Sequence, residues 1–133
     1  MNWAAGYVGI PFANSGAGRR GCHCWGLVRL VYRERLQVDL PAYDTITAEQ
    51  LLAIARGFPN ELNNDPWRPA DGPRQDYDVI LMHARSLPLH IGVAVGSDRL
   101  LHVERGIASM CVPIDHPRYR HRVIGAYRHA CMR

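Results

Sequence analysis

The sequence contains no lysine: all 16 of its basic side chains are arginine, set against 12 acidic residues. That bias can reflect genome composition as readily as function. No stretch approaches the run of about 18 apolar residues that a membrane-spanning helix needs, so membrane insertion is not expected. From Met1 to Ile10 there is no basic segment followed by an apolar block. A secretory signal peptide is therefore not expected, which leaves a cytoplasmic product, a particle component, or export by another route. The four cysteines do not make a disulfide scaffold. Cys22 and Cys24 are too close for relaxed bridging. Cys111 and Cys131 lie in apolar contexts where a buried thiol is the default, and a bridge between them stays open. The glycine-rich stretch from Ala13 to Gly21 lacks the Gly-Lys-Ser/Thr ending of a phosphate loop.

What remains is an ordinary globular composition, 47% apolar and 21% charged over 133 residues. We expect one domain spanning 1–133, long enough to bury a core. The formal charge is +4, densest around Arg118, Arg120, Arg122, Arg128 and Arg133. Anionic partners would suit such a surface. These arginines are separated by apolar and aromatic residues, however, as on a solvated strand face. No nucleic-acid reading motif accompanies them, so no specific nucleic acid is expected.

Gly16, Gly18 and Gly21 predict an open loop. From about Cys24 to Arg35, Cys24, Leu27, Val28, Val31 and Tyr32 recur at helical spacing. A second helix is expected after Thr47, which has capping-box spacing to Gln50, with Gly57 as its stop. Phe58 to Gln75 shows no period and reads as a long loop. Strands are expected over Asp78–Met82, His90–Val95, Arg99–Val103, Ala108–Pro113 and Arg122–Tyr127. Gly96-Ser97-Asp98 turns the second into the third as an antiparallel hairpin. Helices first and adjacent strands later point to an α+β domain.

A nucleophilic cysteine needs its thiolate, a nearby base and a polar group that holds the base. Cys24 enters a helix, where backbone N–H groups and the helix dipole favour an anion. His90 opens one strand of the expected hairpin and His102 lies near the end of its partner, so the two can approach across neighbouring strands. The residues thus suggest Cys24 as nucleophile, His90 as base and His102 as orienting group. Cys22, His23 and Cys24 also invite a zinc reading, but adjacent ligands strain a tetrahedral centre and no second Cys-x-x-Cys pair completes it. Cys24, His90 and His102 are metal-ligand types too, yet nothing calls for a metal or an organic cofactor.

The motifs Gly9-Ile-Pro-Phe12, Gly16 to Gly21, His23-Cys-Trp-Gly-Leu27, Tyr77-Asp-Val-Ile-Leu81, His90-Ile-Gly92 and His102 together resemble the NlpC/P60 superfamily of papain-like cysteine peptidases. The resemblance covers roughly residues 5–112. It implies N-terminal helices packed on an antiparallel β-sheet and cleavage of peptidoglycan stem peptides. The implied target is the γ-D-glutamyl to diamino-acid bond. The Cys24-Trp-Gly-Leu-Val28 form, with the missing export signal, looks like the branch carried by phage tails and gene-transfer particles. That implies phage-like tail proteins as partners and a virion or particle tail as location, with a cytoplasmic stage before assembly. Arg20, Trp25 and Trp67 are candidates for the substrate wall or its charge.

Three positions depart from the family pattern. The least consequential is Tyr77, which replaces a glycine at a turn-like junction before the strand; the other two bear on the chemistry. An aspartate usually precedes the cysteine, where His23 stands here. A neutral imidazole caps a helix less well, while its cation would favour a Cys24 thiolate, so His23 is expected to tune the nucleophile. Phe12 stands where a tyrosine often lines the oxyanion site, so the Cys24 backbone N–H or another donor must serve. Both departures also fit a second reading, a noncatalytic module that binds murein or a tail protein on the same fold. A soluble amidase or acyltransferase using the same thiol is a third.

Overall fold

A helix begins at Cys24 in the computed structural model, which describes residues 2–14, 16–41, 66–83 and 89–132. Helix α1 spans Cys24–Val31. Its first hydrogen bond runs from the Leu27 N–H to the His23 carbonyl at 2.9 Å. The apolar period buries Trp25, Leu27, Val28, Leu30 and Val31. The chain continues as a π-helical turn over Tyr32–Leu36 and stops at Gln37, whose φ of 54° leaves the helical path. The helix expected over 47–57 lies outside the described residues, as does the 58–65 part of the expected loop.

The glycine-rich stretch forms a tight hairpin rather than an open loop. Strands β1 (Ala17–Gly18) and β2 (Gly21–Cys22) pair antiparallel. Arg19 and Arg20 make the turn, and Arg19 is tied to Glu34 at 2.6 Å.

The main sheet has six strands. They are β3 (Trp67–Pro69), β4 (Val79–Met82), β5 (His90–Val95), β6 (Arg99–Glu104), β7 (Ile107–Pro113) and β8 (Val123–His129). The order is β3-β8-β4-β5-β6-β7, and every neighbouring pair is antiparallel. This is the expected α+β arrangement, a helix packed on an antiparallel sheet. Strand β3 departs from the loop expected there. Pro69 ends a short strand at the sheet's border, where a missing N–H costs no ladder bond to a second neighbour.

Strand alternation gives the sheet two different faces. Val79, Leu81, Ile91, Val93, Val95, Leu101 and Val103 join the buried residues of α1 in one core. The opposite face carries Ile80, Met82, Ala94 and Leu100, covered by Ile114 and Tyr119 from the β7–β8 connection. The outer edge of β7 is covered in part by the N-terminal segment. Gly9 N–H donates to the Ser109 carbonyl and Ser109 N–H to the Ile10 carbonyl, both at 2.8 Å. The buried Ser109 hydroxyl accepts from Ile10 N–H at 2.8 Å. Such cover removes unpaired backbone groups from a border strand. All four cysteines are free thiols. Among the described residues, no helix is long and apolar enough to cross a membrane.

Helix and hairpin meet at Gly26. A Cβ there would run into the Gly16 carbonyl and lie 2.8 Å from the His23 Nδ1, whereas a Cβ on Gly6 would meet nothing within 4 Å. Gly26→Ala should therefore cost about 1–3 kcal/mol in urea unfolding, the usual scale of overpacking. Gly6→Ala should stay within about 0.5 kcal/mol. Equal effects of the two substitutions would contradict this packing.

Candidate active site

Strands β5 and β6 bring two imidazoles into contact. Val93 pairs with Leu101, Ala94 with Leu100 and Val95 with Arg99, so continuing the register sets Gly92 beside His102. His90 Nε2 lies 3.0 Å from His102 Nδ1, with the rings edge-on at 5.2 Å. Both are buried, 6% and 2% exposed. Gly92 explains how they come so close. A Cβ there would stand 3.0 Å from the Leu101 carbonyl oxygen and 3.2 Å from His102 Cβ.

Two residues of this site escaped the sequence reading. Glu104 follows His102 by two positions on the same strand, so its carboxylate stands on the same face. Its Oε1 lies 3.8 Å from His90 Nε2 and 3.7 Å from His102 Nδ1. Arg122 donates to the same oxygen at 2.7 Å. Strand alternation carried one residue past Val103 would have found Glu104. Arg122 carried no such signal, because its partner is 18 residues away. Tyr119 closes the group, its ring edge-on to His102 at 5.1 Å.

Cys24 reaches the same end of the sheet by two structural routes. The Tyr32 hydroxyl, just past the C-terminus of α1, donates to the Tyr77 carbonyl. Tyr77 N–H in turn donates to Ala94, near the end of β5. The helix packs on β5 and β6, so its opposite end, Cys24, lies toward the His90 end of β5. Independently, Cys22 bridges Phe12, and the Arg105 guanidinium lies 5.3 Å over the Phe12 ring. Arg105 directly follows Glu104.

The remaining candidates divide. His23 sits at the N-cap without a side-chain capping bond. Its Nδ1 lies 3.1 Å from the Gly16 carbonyl oxygen, which can only accept, so that nitrogen carries a proton. His23 thus fastens the hairpin to the helix start. Arg20 is exposed at the β1–β2 turn. Trp25 and Trp67 belong to the core rather than to a substrate wall. Trp25 is fully buried with its indole N–H on the Pro41 carbonyl at 2.7 Å. Trp67 packs between Tyr32 and His129. Arg128 grips the buried Asp78 carboxylate with both Nε and Nη2, at 2.9 and 2.8 Å. The basic C-terminal stretch is therefore partly structural, not wholly a solvated face.

The electrostatics separate the two neighbouring thiols. Burial, with Cys24 close by, pushes the Cys22 thiol up to about 11, which leaves it protonated and unreactive at neutral pH. Burial also lowers His90 and His102, while Glu104 pulls each upward and Arg122 opposes it. Burial raises Glu104, but the Arg122 hydrogen bond and the nearby histidines outweigh it and hold the carboxyl below its ordinary value. The ligand atoms of His90, His102 and Glu104 lie within 4.8 Å of one another, close enough to hold a metal ion.

The sequence profile described as the NlpC/P60 family matches residues 9–128. No curated protein matches the sequence. Among solved structures, an NlpC/P60 family protein of Bacillus cereus ATCC 10987 is similar with a TM-score of 0.67 and 17% identity. The match covers 93% of this chain and 37% of that one. A Staphylococcus aureus Mu50 protein described as similar to lipoprotein, NLP/P60 family, gives 0.62 and 19%, covering 95% and 38%. The NlpC/p60 domain of the peptidoglycan hydrolase SagA gives 0.57 and 16%, covering 84% and 83%. The chain thus spans less than half the length of the first two, and at these identities the likeness speaks for the fold. Fold, profile match and the gathering of a thiol, two imidazoles and a carboxylate at one end of the sheet support a cysteine-peptidase active site.

The lowered histidines have a consequence for stability. Just below the ordinary imidazole value of about 6.5, the unfolded chain binds protons that the folded one refuses. Their stabilising contribution is complete above that value and is lost as pH falls. Between pH 7 and pH 5, urea unfolding should lose about 2–4 kcal/mol, and the loss should shrink in a His90→Asn, His102→Asn double variant. An unchanged pH slope in that variant would contradict the assignment.

Proposed function

Because the chain belongs to the NlpC/P60 family, we propose that it is a thiol peptidase that cleaves peptidoglycan stem peptides. The observation that carries this reading is the buried His90–His102 hydrogen bond, 3.0 Å long, at the end of the sheet where α1 begins with Cys24. His90 Nε2 is engaged by His102, which leaves Nδ1 for the thiol. In the productive tautomer His90 carries its proton on Nε2 and donates it to His102 Nδ1, as an orienting group should.

His90 Nδ1 takes the proton of the Cys24 thiol as Sγ attacks the peptide carbonyl carbon. Burial keeps the rings neutral at rest, so His90 has a lone pair to accept the proton, and the Glu104 carboxylate pulls its proton affinity back up. Glu104, 3.8 Å from His90 Nε2, stabilises the imidazolium that forms. Phe12 has no hydroxyl to give, so the backbone N–H groups at the start of α1 receive the developing oxyanion. The C–N bond breaks and His90 returns the proton to the leaving amine, leaving a thioester. Water then adds to it, losing a proton to His90, and the acid and the free thiol are released.

Resemblance in the motifs supports the γ-D-glutamyl to diamino-acid bond as the target. The structural likeness to a domain of a peptidoglycan hydrolase agrees with the substrate class. The Cys24-Trp-Gly-Leu-Val28 form supports delivery within a phage-like tail, with tail proteins as partners.

Incubation with defined murein tetrapeptides, with products identified by mass, tests the reading. Cleavage should vanish in Cys24→Ala and persist in Cys22→Ala. His102→Ala should lower kcat by roughly 100-fold or more. Persistent cleavage in Cys24→Ala would sink the peptidase reading. Specific peptide binding by the wild-type chain without any cleavage would establish the noncatalytic module instead.

A further inference from the structure

We propose that His90, His102 and Glu104 form a binding site for a zinc-class divalent cation, whose occupancy excludes the hydrogen bond on which catalysis depends. His90 Nε2, His102 Nδ1 and Glu104 Oε1 are separated by 3.0, 3.7 and 3.8 Å. Ligand atoms around a tetrahedral zinc, at bond lengths near 2.0–2.1 Å, stand about 3.4 Å apart. The three atoms therefore outline one face of a zinc tetrahedron with only a few tenths of an ångström to adjust. Two imidazoles and a carboxylate are the donor set that prefers zinc over magnesium, which demands oxygen and retains its water.

The two facing nitrogens share a single proton, so one of them always presents a lone pair to the other. His102 Nε2, at the back of its ring, is buried without a hydrogen-bond partner among the described residues. The His102 ring is steadied by its edge-on contact with Tyr119. Beside it lies a recess of about 10 Å³ lined by residues including His102, Glu104, Ile107 and Tyr119. That is room for about one water.

Occupancy requires no net release of protons from the neutral rings. His90 moves its proton from Nε2 to Nδ1, and both facing lone pairs then point at the cation, with the ionised Glu104 as third ligand. A His90 protonated on Nδ1 cannot accept the Cys24 proton there. The binding claim stands on geometry alone, whereas its effect on cleavage rests on the peptidase reading. Arg122, which donates to the same carboxylate oxygen at 2.7 Å, opposes the ion and sets a limit on its affinity.

Calorimetric titration of the full chain with zinc chloride tests the site without using activity. One equivalent should bind, with magnesium giving no heat. In a Cys24→Ala background the affinity should change less than about threefold. Glu104→Gln and His102→Asn should each weaken binding roughly tenfold or more, and Arg122→Gln should strengthen it. Long-range proton–nitrogen spectra of the unmutated protein give a readout that does not depend on variant folding. Zinc should shift His90 Nε2 and His102 Nδ1 together. Unshifted histidine nitrogens at saturating zinc would overturn the site. So would binding lost in Cys24→Ala yet kept in Glu104→Gln, since that places the ion on the thiol.

Discussion

The hydrogen bond between His90 and His102 is the contact that the rest of the site depends on. It exists only because β5 and β6 are paired in a register that sets Gly92 beside His102, and because Gly92 has no side chain to hold the strands' substituents apart. Around it every neighbour has a restricting role. Tyr119 stands edge-on to the second ring, Glu104 supplies the compensating charge, and Arg122 fixes Glu104. The result is a pair of imidazoles kept neutral by burial yet next to a carboxylate that can steady a transient cation. A general base needs that combination: a ring free to accept a proton and a field ready for the charge.

The second constraint is the placement of α1. Its buried stripe fastens it to the face of the sheet opposite the histidines. Tyr32 anchors its far end through Tyr77 to the end of β5. The near end is held by the glycine hairpin, with Gly26 and Gly16 in close approach and His23 bonded to the Gly16 carbonyl. His23 therefore has a structural duty that an aspartate in its place would fulfil differently. Aspartate would cap the helix, whereas His23 joins the loop to it.

Much of this was legible in the chain because it depends on local patterning. Cys24 begins a helix whose apolar period runs without interruption to Tyr32. The hairpin follows from short apolar runs on both sides of Gly96-Ser97-Asp98, and Gly96 does adopt a positive φ of 62°. What the sequence concealed is set by partners distant along the chain. Strand β3 lies between prolines and gains its identity only from β8, where Trp67 faces His129. Trp25, next to Cys24, invites a role in binding, but one step around the helix turns it into the core. Arg122 and Arg128 look like surface charge until Glu104 and Asp78 are brought to them. Long-range pairing of charges leaves no periodic trace in a single sequence.

On the proposed reading, Cys24 is made nucleophilic by its position beside this histidine pair. Iodoacetamide alkylation near neutral pH, followed residue by residue with peptide mass spectrometry, measures it directly. Cys24 should react at least tenfold faster than the exposed Cys131, with Cys22 slowest, and the advantage should disappear in His90→Ala. If Cys24 reacts no faster than Cys131, or keeps its advantage without His90, the thiol and the histidine pair do not act together.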